Sequence, residues 1–183
     1  MKINDLALEE LGGLVCDVLK ARDIDAVLSG GSCVSVWTEN QYVSNDLDMI
    51  TTTLASRYRL SEALDSLGFK RQGNSRYYRH PESEFALEFP NGPIMVGDEQ
   101  VPDERVHELA TANGTLRLLS PTDCIKDRLA AFYHWKDRQS WEQAISVAKR
   151  HPPDWEGLKK WHVNEGEVGS FDKFFQEATA GDP

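Results

Sequence analysis

Apolar residues recur along this chain at two spacings, three to four positions apart in some blocks and every second position in others. The first spacing is typical of amphipathic helices and the second of half-buried strands. The predicted helices cover about residues 4–22, 32–40, 54–67, 120–138, 139–150, 154–161 and 171–178. The predicted strands cover about residues 24–28, 46–50, 69–71, 75–79, 84–89 and the arms of a hairpin that turns at Asn113-Gly114. This order predicts an α+β fold: a mixed β-sheet flanked by helices, with a C-terminal helical part.

A boundary between two parts of the chain is expected at residues 119 and 120. Residues 1–119 would form the α/β core, and residues 120–183 would be helical and pack on it. Ser120 and Pro121 mark a helix start, since proline is common at the first helical position. Five aromatic residues near the end are too many for a free tail, so they should pack on the domain or into a partner subunit. They are Trp155, Trp161, Phe171, Phe174 and Phe175.

Two glycines, Gly30 and Gly31, follow the apolar run of the first predicted strand. Glycine lets the backbone turn tightly and approach a ligand closely. Ser32 would cap the helix expected next, because serine is a favoured N-cap residue. A helix that begins just after paired glycines presents free N–H groups and a positive dipole end to an anion. A phosphate is therefore a candidate ligand here, and a simple turn is the alternative for a Gly-Gly pair.

Asp46 and Asp48 lie two positions apart in the strand predicted over residues 46–50. Alternate residues of a strand share one face, so both carboxylates are expected on one side and Leu47 on the other. Adjacent carboxylates repel each other unless a cation lies between them. Proteins hold Mg²⁺ in this way, with substrate phosphates completing its shell. The pair therefore predicts a magnesium site, and solvated surface carboxylates are the alternative.

The order and spacing of these motifs resemble a known family signature. Gly30-Gly31-Ser32, a helix-length gap and then Ser44-Asn45-Asp46-Leu47-Asp48 are similar to the motif of the DNA polymerase β-type nucleotidyltransferase superfamily. Within it, the chain resembles the small bacterial AbiEii-like and related uncharacterised nucleotidyltransferases. The basic residue often found before the serine of such proteins is replaced here by Tyr42 and Val43. The resemblance implies that residues 1–119 are a catalytic core that transfers an NMP from an NTP to an acceptor, using Mg²⁺ or Mn²⁺.

The resemblance also implies roles for individual residues. Asp46 and Asp48 would be catalytic metal ligands, and Glu88, on a strand beside theirs, would be the third. The residues implied to bind the nucleotide are Gly30, Gly31, Ser32, Ser44, Lys126 and Arg128. For Glu88, the alternative is a solvent-facing glutamate on an edge strand. For Lys126 and Arg128, the alternative is a position on a solvated helix face, where they would form charge pairs with residues four positions away.

The chain has 183 residues and a formal net charge of −10, which opposes a large electrostatic footprint on nucleic acid. Contact with RNA would therefore be local, at one of three short basic clusters: Lys70-Arg71, residues 76–80 or residues 126–128. The acceptor stays open between RNA, a protein side chain and a small molecule.

The three cysteines are widely spaced and include no Cys-x-x-Cys pair, so they favour neither a disulfide framework nor a zinc site. Buried, apolar roles are expected for Cys16, Cys33 and Cys124. No apolar run approaches the roughly 20 residues needed to cross a bilayer. Acidic residues also interrupt the N-terminal segment where a secretory signal would be apolar. We expect a cytoplasmic protein with no membrane partner.

Family analogy adds expectations about partners. The protein would bind an NTP, and it would act as the toxin of a toxin–antitoxin pair, with an antitoxin or a second copy of this chain as partner. Two alternatives to an enzyme are open. A non-catalytic nucleotide-binding or protein-interaction module would keep the same fold without turnover, and a structural domain would use its glycines as turns and its aspartates as surface.

Overall fold

The computed structural model describes residues 2–52, 57–90 and 92–181. Its helices are α1 (Leu8–Lys20), α2 (Gly30–Trp37), α3 (Arg57–Asp65), α4 (Pro121–Trp135), α5 (Arg138–Arg150), α6 (Trp155–Asn164) and α7 (Val168–Thr179). Two short 3-10 helices cover Ile3–Asp5 and Asp103–Arg105. The predicted start of the third helix, at about residue 54, lies outside the described residues, as does Asn91.

The strands form one mixed sheet and one small hairpin. They are β1 (Ala26–Ser29), β2 (Asp46–Thr51), β3 (Lys70–Arg71), β4 (Tyr77–Arg79), β5 (Ala86–Glu88), β6 (Met95–Val96), β7 (Glu99–Gln100), β8 (His107–Thr111) and β9 (Gly114–Leu118). The sheet has the order β3-β4-β5-β2-β1-β9-β8, in which only the β2–β5 and β1–β9 pairs are parallel. This arrangement confirms the predicted α+β fold. The β6–β7 hairpin was not predicted, because two-residue strands show no alternation.

The two faces of the sheet have different coverings. Leu47 and Leu87 are fully buried on one face. Helix α1 packs there, since a Cβ at Gly12 would lie within 3.5 Å of Leu47. Helix α3 covers the same face further along, where the hydroxyls of Ser61 and Tyr78 are 3.0 Å apart. The side chains of Asp46, Asp48 and Glu88 alternate with these apolar residues and therefore point to the opposite face.

The C-terminal helices pack on the sheet-bearing part of the chain. Trp161 is buried and its Nε1 donates a hydrogen bond to the Val96 carbonyl oxygen at 2.9 Å. Phe171 and Phe174 are also buried, while Phe175 stays 40% exposed. The aromatic residues thus pack within this chain, which was the first of the two predicted outcomes. The division at residues 119 and 120 remains a prediction.

The three cysteines are free and buried, as predicted. Along the described ranges of the chain, no helix combines the length and the apolar character that a membrane span requires.

Helix α4 begins at the predicted start, with Ser120 as its N-cap residue. The Ser120 hydroxyl accepts a hydrogen bond from the Asp123 N–H at 3.2 Å and donates one to Asp123 Oδ2 at 2.8 Å. Loss of an N-cap side chain typically costs about 1 kcal/mol. We therefore expect Ser120→Ala to lower the free energy of unfolding by about 1 kcal/mol in urea titrations, while Ser120→Thr, which keeps a hydroxyl, loses less. Equal losses in the two variants would contradict the capping role.

Candidate active site

The glycine turn joins β1 directly to α2. Gly30 has a φ of +63°, a left-handed conformation that favours glycine. Helix α2 begins at Gly30, and Ser29 holds the N-cap position without a side-chain cap bond. The expectation that Ser32 caps this helix is therefore wrong, because Ser32 lies inside the first turn. Its buried hydroxyl donates to the Ser29 carbonyl at 2.9 Å and accepts from the Asp48 N–H at 3.2 Å, which ties the turn to β2.

Three carboxylates meet on one face of the sheet. Strand β2 carries Asp46 and Asp48, and the parallel register of β5 places Glu88 beside Asp48. One carboxylate oxygen from each of the three lies within 4.8 Å of the others. Because β5 lies between β4 and β2 and Glu88 is 5% exposed, the alternative of a solvent-facing glutamate on an edge strand is wrong. We call these three residues the acidic cluster.

The environment of Asp48 disfavours its charged form. Burial, followed by a hydrogen bond with Glu88 and repulsion from the Asp46 and Glu88 charges, raises the pKa of Asp48 to about 8. The positive charge of Arg128 acts in the opposite direction. At neutral pH this shift favours the protonated form of Asp48. A divalent ion would relieve the same repulsion more completely.

Glu88 has two further neighbours, Tyr77 of β4 and Arg76 just before it. Tyr77 lies directly opposite it in the antiparallel ladder. Arg76 Nε forms an ion pair with Glu88 Oε1, although the two atoms are not aligned as a hydrogen bond, and within the described residues that oxygen has no hydrogen-bond partner. Arg76 was grouped in a basic cluster for RNA, and its place beside the third carboxylate was missed. Only the register of β4 against β5 reveals it.

Ser44 and Gly31 shape the edge of the cluster. The Ser44 hydroxyl donates to the Asp46 carbonyl oxygen at 2.9 Å and to Asp46 Oδ1 at 3.1 Å, which orients that carboxylate. A Cβ at Gly31 would lie 3.3 Å from Tyr42 Cε1 and 3.8 Å from Ser44 Oγ. Glycine thus lets the start of α2 approach this segment closely. A cavity of about 290 Å³ opens beside Asp46, lined by Tyr42, Tyr77 and Arg79 among others.

The two predicted basic residues of α4 differ in position. Lys126 Nζ donates to Glu99 Oε2 at 2.9 Å, and Glu99 also pairs with Arg105, so Lys126 belongs to an ion-pair network with β7. Arg128 lies close enough to Asp48 for their charges to interact, and it donates to Asp127 Oδ2 at 2.6 and 2.9 Å. The side chains of Lys126 and Arg128 are only 7% and 16% exposed, so neither lies on a solvated face.

Gly30 offers a direct test of the turn. A Cβ there would collide with Asp48 Oδ2, in addition to the backbone strain at positive φ. We expect Gly30→Ala to cost about 1–2 kcal/mol from the backbone alone, and more because Asp48 must move. Gly73 has a φ of +57° but no atom within 4 Å of a built Cβ, so Gly73→Ala carries the backbone cost without the collision. Urea unfolding of both variants measures the difference, and equal losses would exclude the collision.

Solved structures of nucleotidyltransferases share this fold. A crystal structure of ANT(2'')-Ia in complex with adenylyl-2''-tobramycin is 14% identical, and the alignment covers 88% of this chain and 94% of the other, with a TM-score of 0.52. A solution structure of the antibiotic-resistance factor ANT(2'')-Ia is 13% identical, with coverages of 92% and 97% and a TM-score of 0.54. An antigenic nucleotidyltransferase-like protein from Paracoccidioides brasiliensis is 13% identical, with coverages of 91% and 92% and a TM-score of 0.57.

At these identities the likeness shows the fold alone: this chain has a nucleotidyltransferase fold. No protein-family model and no curated protein matches its sequence. The AbiEii-like subtype therefore rests on the resemblance of the two motifs.

Proposed function

We propose that this protein is a nucleotidyltransferase that moves an NMP from an NTP to a hydroxyl group of an acceptor. The observation that carries the proposal is the acidic cluster, in which three carboxylates from two paired strands converge beside a glycine turn at a helix N-terminus. Repelling carboxylates are costly to bring together in a fold, so their convergence favours a functional role over a structural one.

The donor set suits a hard divalent cation. Asp46, Asp48 and Glu88 supply oxygen ligands, and the buried Glu88 Oε1 is ion-paired with Arg76 but has no hydrogen-bond partner among the described residues. These three residues would hold Mg²⁺ or Mn²⁺. When bound, the ion would neutralise the cluster and offset charge on the nucleotide phosphates.

The residues of the chain would then position the reactants. The free N–H groups at Gly30 and Gly31 would bind phosphate oxygens, with Arg128 as a nearby cation. Ser32 and Ser44 would hold the turn and Asp46 in place through the bonds described above. Glu88 would accept the proton of the acceptor hydroxyl as its oxygen attacks the α-phosphorus and pyrophosphate leaves. Catalysis would rest on positioning and electrostatics.

The acceptor that we favour is a small molecule. ANT(2'')-Ia, the neighbour in fold, forms a complex with adenylyl-2''-tobramycin, a nucleotidylated small molecule. The net charge of −10 also opposes an extended contact with nucleic acid. An AbiEii-like subtype, a toxin role with an antitoxin or second copy as partner, and a cytoplasmic location are finer proposals supported by the sequence motifs alone.

The test is transfer of label from radioactive NTPs. The purified protein and an Asp46→Ala/Asp48→Ala variant are incubated with Mg²⁺ and each α-labelled or γ-labelled NTP, with small-molecule extract, total RNA or cell protein as acceptor. Label from the α position, absent in the variant, is the expected result, and the labelled fraction identifies the acceptor class. Label from the γ position alone would mean phosphoryl transfer. NTP binding without any transfer would favour a non-catalytic module.

A further inference from the structure

A second cavity, of about 450 Å³, lies between the start of α3 and the turn that joins β3 to β4. Three arginines line it: Arg57 from α3, Arg71 from β3 and Arg76 just before β4. Apolar side chains line it as well, among them Leu60, Tyr78 and Phe89. The cavity therefore combines an apolar wall with a cationic rim.

This cavity lies on the face of the sheet opposite the acidic cluster. Tyr78 pairs with Leu87 in the β4–β5 ladder, one position along from the pair formed by Tyr77 and Glu88. Successive residues of a strand point to opposite faces, so Tyr78 faces away from the acidic cluster and toward α3. The hydrogen bond between Tyr78 and Ser61 of α3 agrees with this direction. The cavity thus opens on the other face of the sheet, and it adjoins the candidate active site at Arg76 and Tyr77, which line the cavity and also neighbour Glu88.

The charges of its arginines are largely uncompensated. In the part of the chain that the structure describes, Arg57 is exposed and forms no ion pair. The Arg71 guanidinium donates to the carbonyl oxygens of Ser75 at 2.8 Å and Asn74 at 2.9 Å, which fixes its direction but leaves its charge unneutralised. Arg76 alone of the three pairs with an acid, Glu88. In a chain with a net charge of −10, this concentration of positive charge is a local exception.

We propose that this cavity binds a small organic phosphate. Guanidinium groups match the geometry and charge of a phosphate dianion, and several of them around one ligand favour it over a singly charged carboxylate. The apolar wall of Leu60, Tyr78 and Phe89 would cover the uncharged portion of the ligand. A cation would be repelled by the arginines, and a neutral molecule would leave their charges without partners. The site goes beyond the proposed nucleotidyl transfer, since it requires neither metal nor NTP.

Calorimetric titration of the full chain with phenyl phosphate tests the proposal. The buffer contains EDTA, so that the acidic cluster carries no metal and repels phosphates. Saturable binding at one site is expected, with weaker binding of inorganic phosphate, which lacks the apolar portion, and no measurable binding of phenol, which lacks the charge. Absence of saturable binding, or phenol that binds as well as phenyl phosphate, would overturn the proposal.

Substitutions of single arginines test whether phenyl phosphate binds at this cavity. Arg57→Gln is expected to weaken phenyl phosphate binding by about tenfold or more, because it removes a charged hydrogen-bond donor, and Arg57→Lys is expected to weaken it less. Arg138→Gln removes an exposed arginine at the start of α5, far along the chain from the cavity, and is expected to bind like the wild type. Thermal unfolding checks that each variant is folded. Unchanged affinity in Arg57→Gln, or an equal loss in Arg138→Gln, would overturn the assignment.

The experiment is independent of turnover. Binding is measured without metal and without NTP, so a protein that fails to transfer nucleotides can still bind phenyl phosphate at this cavity. Conversely, an active transferase that does not bind the probe would overturn this inference and leave the proposed function standing.

Discussion

Asp48→Asn is expected to lower nucleotidyl transfer by at least about a thousandfold while leaving the fold intact. Asparagine keeps the shape of the side chain but removes the central carboxylate of the acidic cluster, whose oxygens lie within 4.8 Å of one another. The backbone bond from the Asp48 N–H to Ser32 Oγ and the pairing of β2 with β5 do not depend on the carboxylate. The measurement is the initial rate of transfer of α-labelled NMP at saturating NTP, alongside thermal unfolding.

The matched control is Asp65→Asn, which removes one negative charge from a different place. Asp65 pairs with Lys70 at 3.1 Å, and both side chains are about half exposed or more, so its loss should change stability by less than about 1 kcal/mol and leave the rate unaltered. Mn²⁺ should raise the unfolding temperature of the wild type and of Asp65→Asn, but not of Asp48→Asn. Full turnover in Asp48→Asn would exclude the acidic cluster from the chemistry.

Local patterns were sufficient to predict much of this site. The separation of Asp46 and Asp48 by two positions determines that they share a face once the segment is a strand. Ser120 before Pro121 similarly determines a helix start, since the Ser120 hydroxyl accepts from a first-turn N–H and proline has the φ of a first helical residue. Each of these features depends on neighbours along the chain, which is why periodicity and capping rules were enough.

Features that depend on pairing between distant strands were harder to predict. Glu88 could be nominated only by resemblance. No residue pattern near Glu88 indicates that β5 pairs in parallel with β2, or that the register of this pair places Glu88 beside Asp48. The same register brings Tyr77 and Arg76 to Glu88. A shift of one residue in the pairing register of β5 would have turned the Glu88 side chain to the face of the sheet away from Asp48.

Lys126 and Arg128 of α4 show a second limit of prediction from sequence, which concerns the rotation of a helix about its axis. Residues two positions apart on a helix point in directions about 200° apart, so Lys126 and Arg128 leave α4 on different sides. Which of them faces the acidic cluster depends on the rotation of α4 about its axis, and burial of Ile125 and Leu129 sets that rotation. The helix places Arg128 near Asp48 and Lys126 at Glu99, an acid on a hairpin that was not predicted.

The stability of the metal-free protein is expected to fall as the pH rises from about 4 to about 8. Burial and neighbouring carboxylates raise the pKa of Asp48 to about 8 in the folded chain, whereas an unfolded aspartate titrates near pH 4. Between these values the folded state binds a proton that the unfolded state has lost, so each rise in pH favours unfolding. The contribution is fully present below about pH 4, is lost as the pH rises through about 8, and should be on the order of 5 kcal/mol, at about 1.4 kcal/mol per unit of pKa difference.

Urea unfolding in EDTA at pH 5, 7 and 9 measures this effect, and Asp48→Asn isolates it from other titrating groups. The wild type should lose stability relative to the variant as the pH rises, because asparagine cannot ionise. A constant difference between the two proteins across this range would contradict the raised pKa of Asp48. Mn²⁺ should oppose the loss at pH 9 more than at pH 5, since the ion and the proton compete for the same carboxylates. The repulsion that destabilises the metal-free fold at high pH would thus strengthen metal binding there.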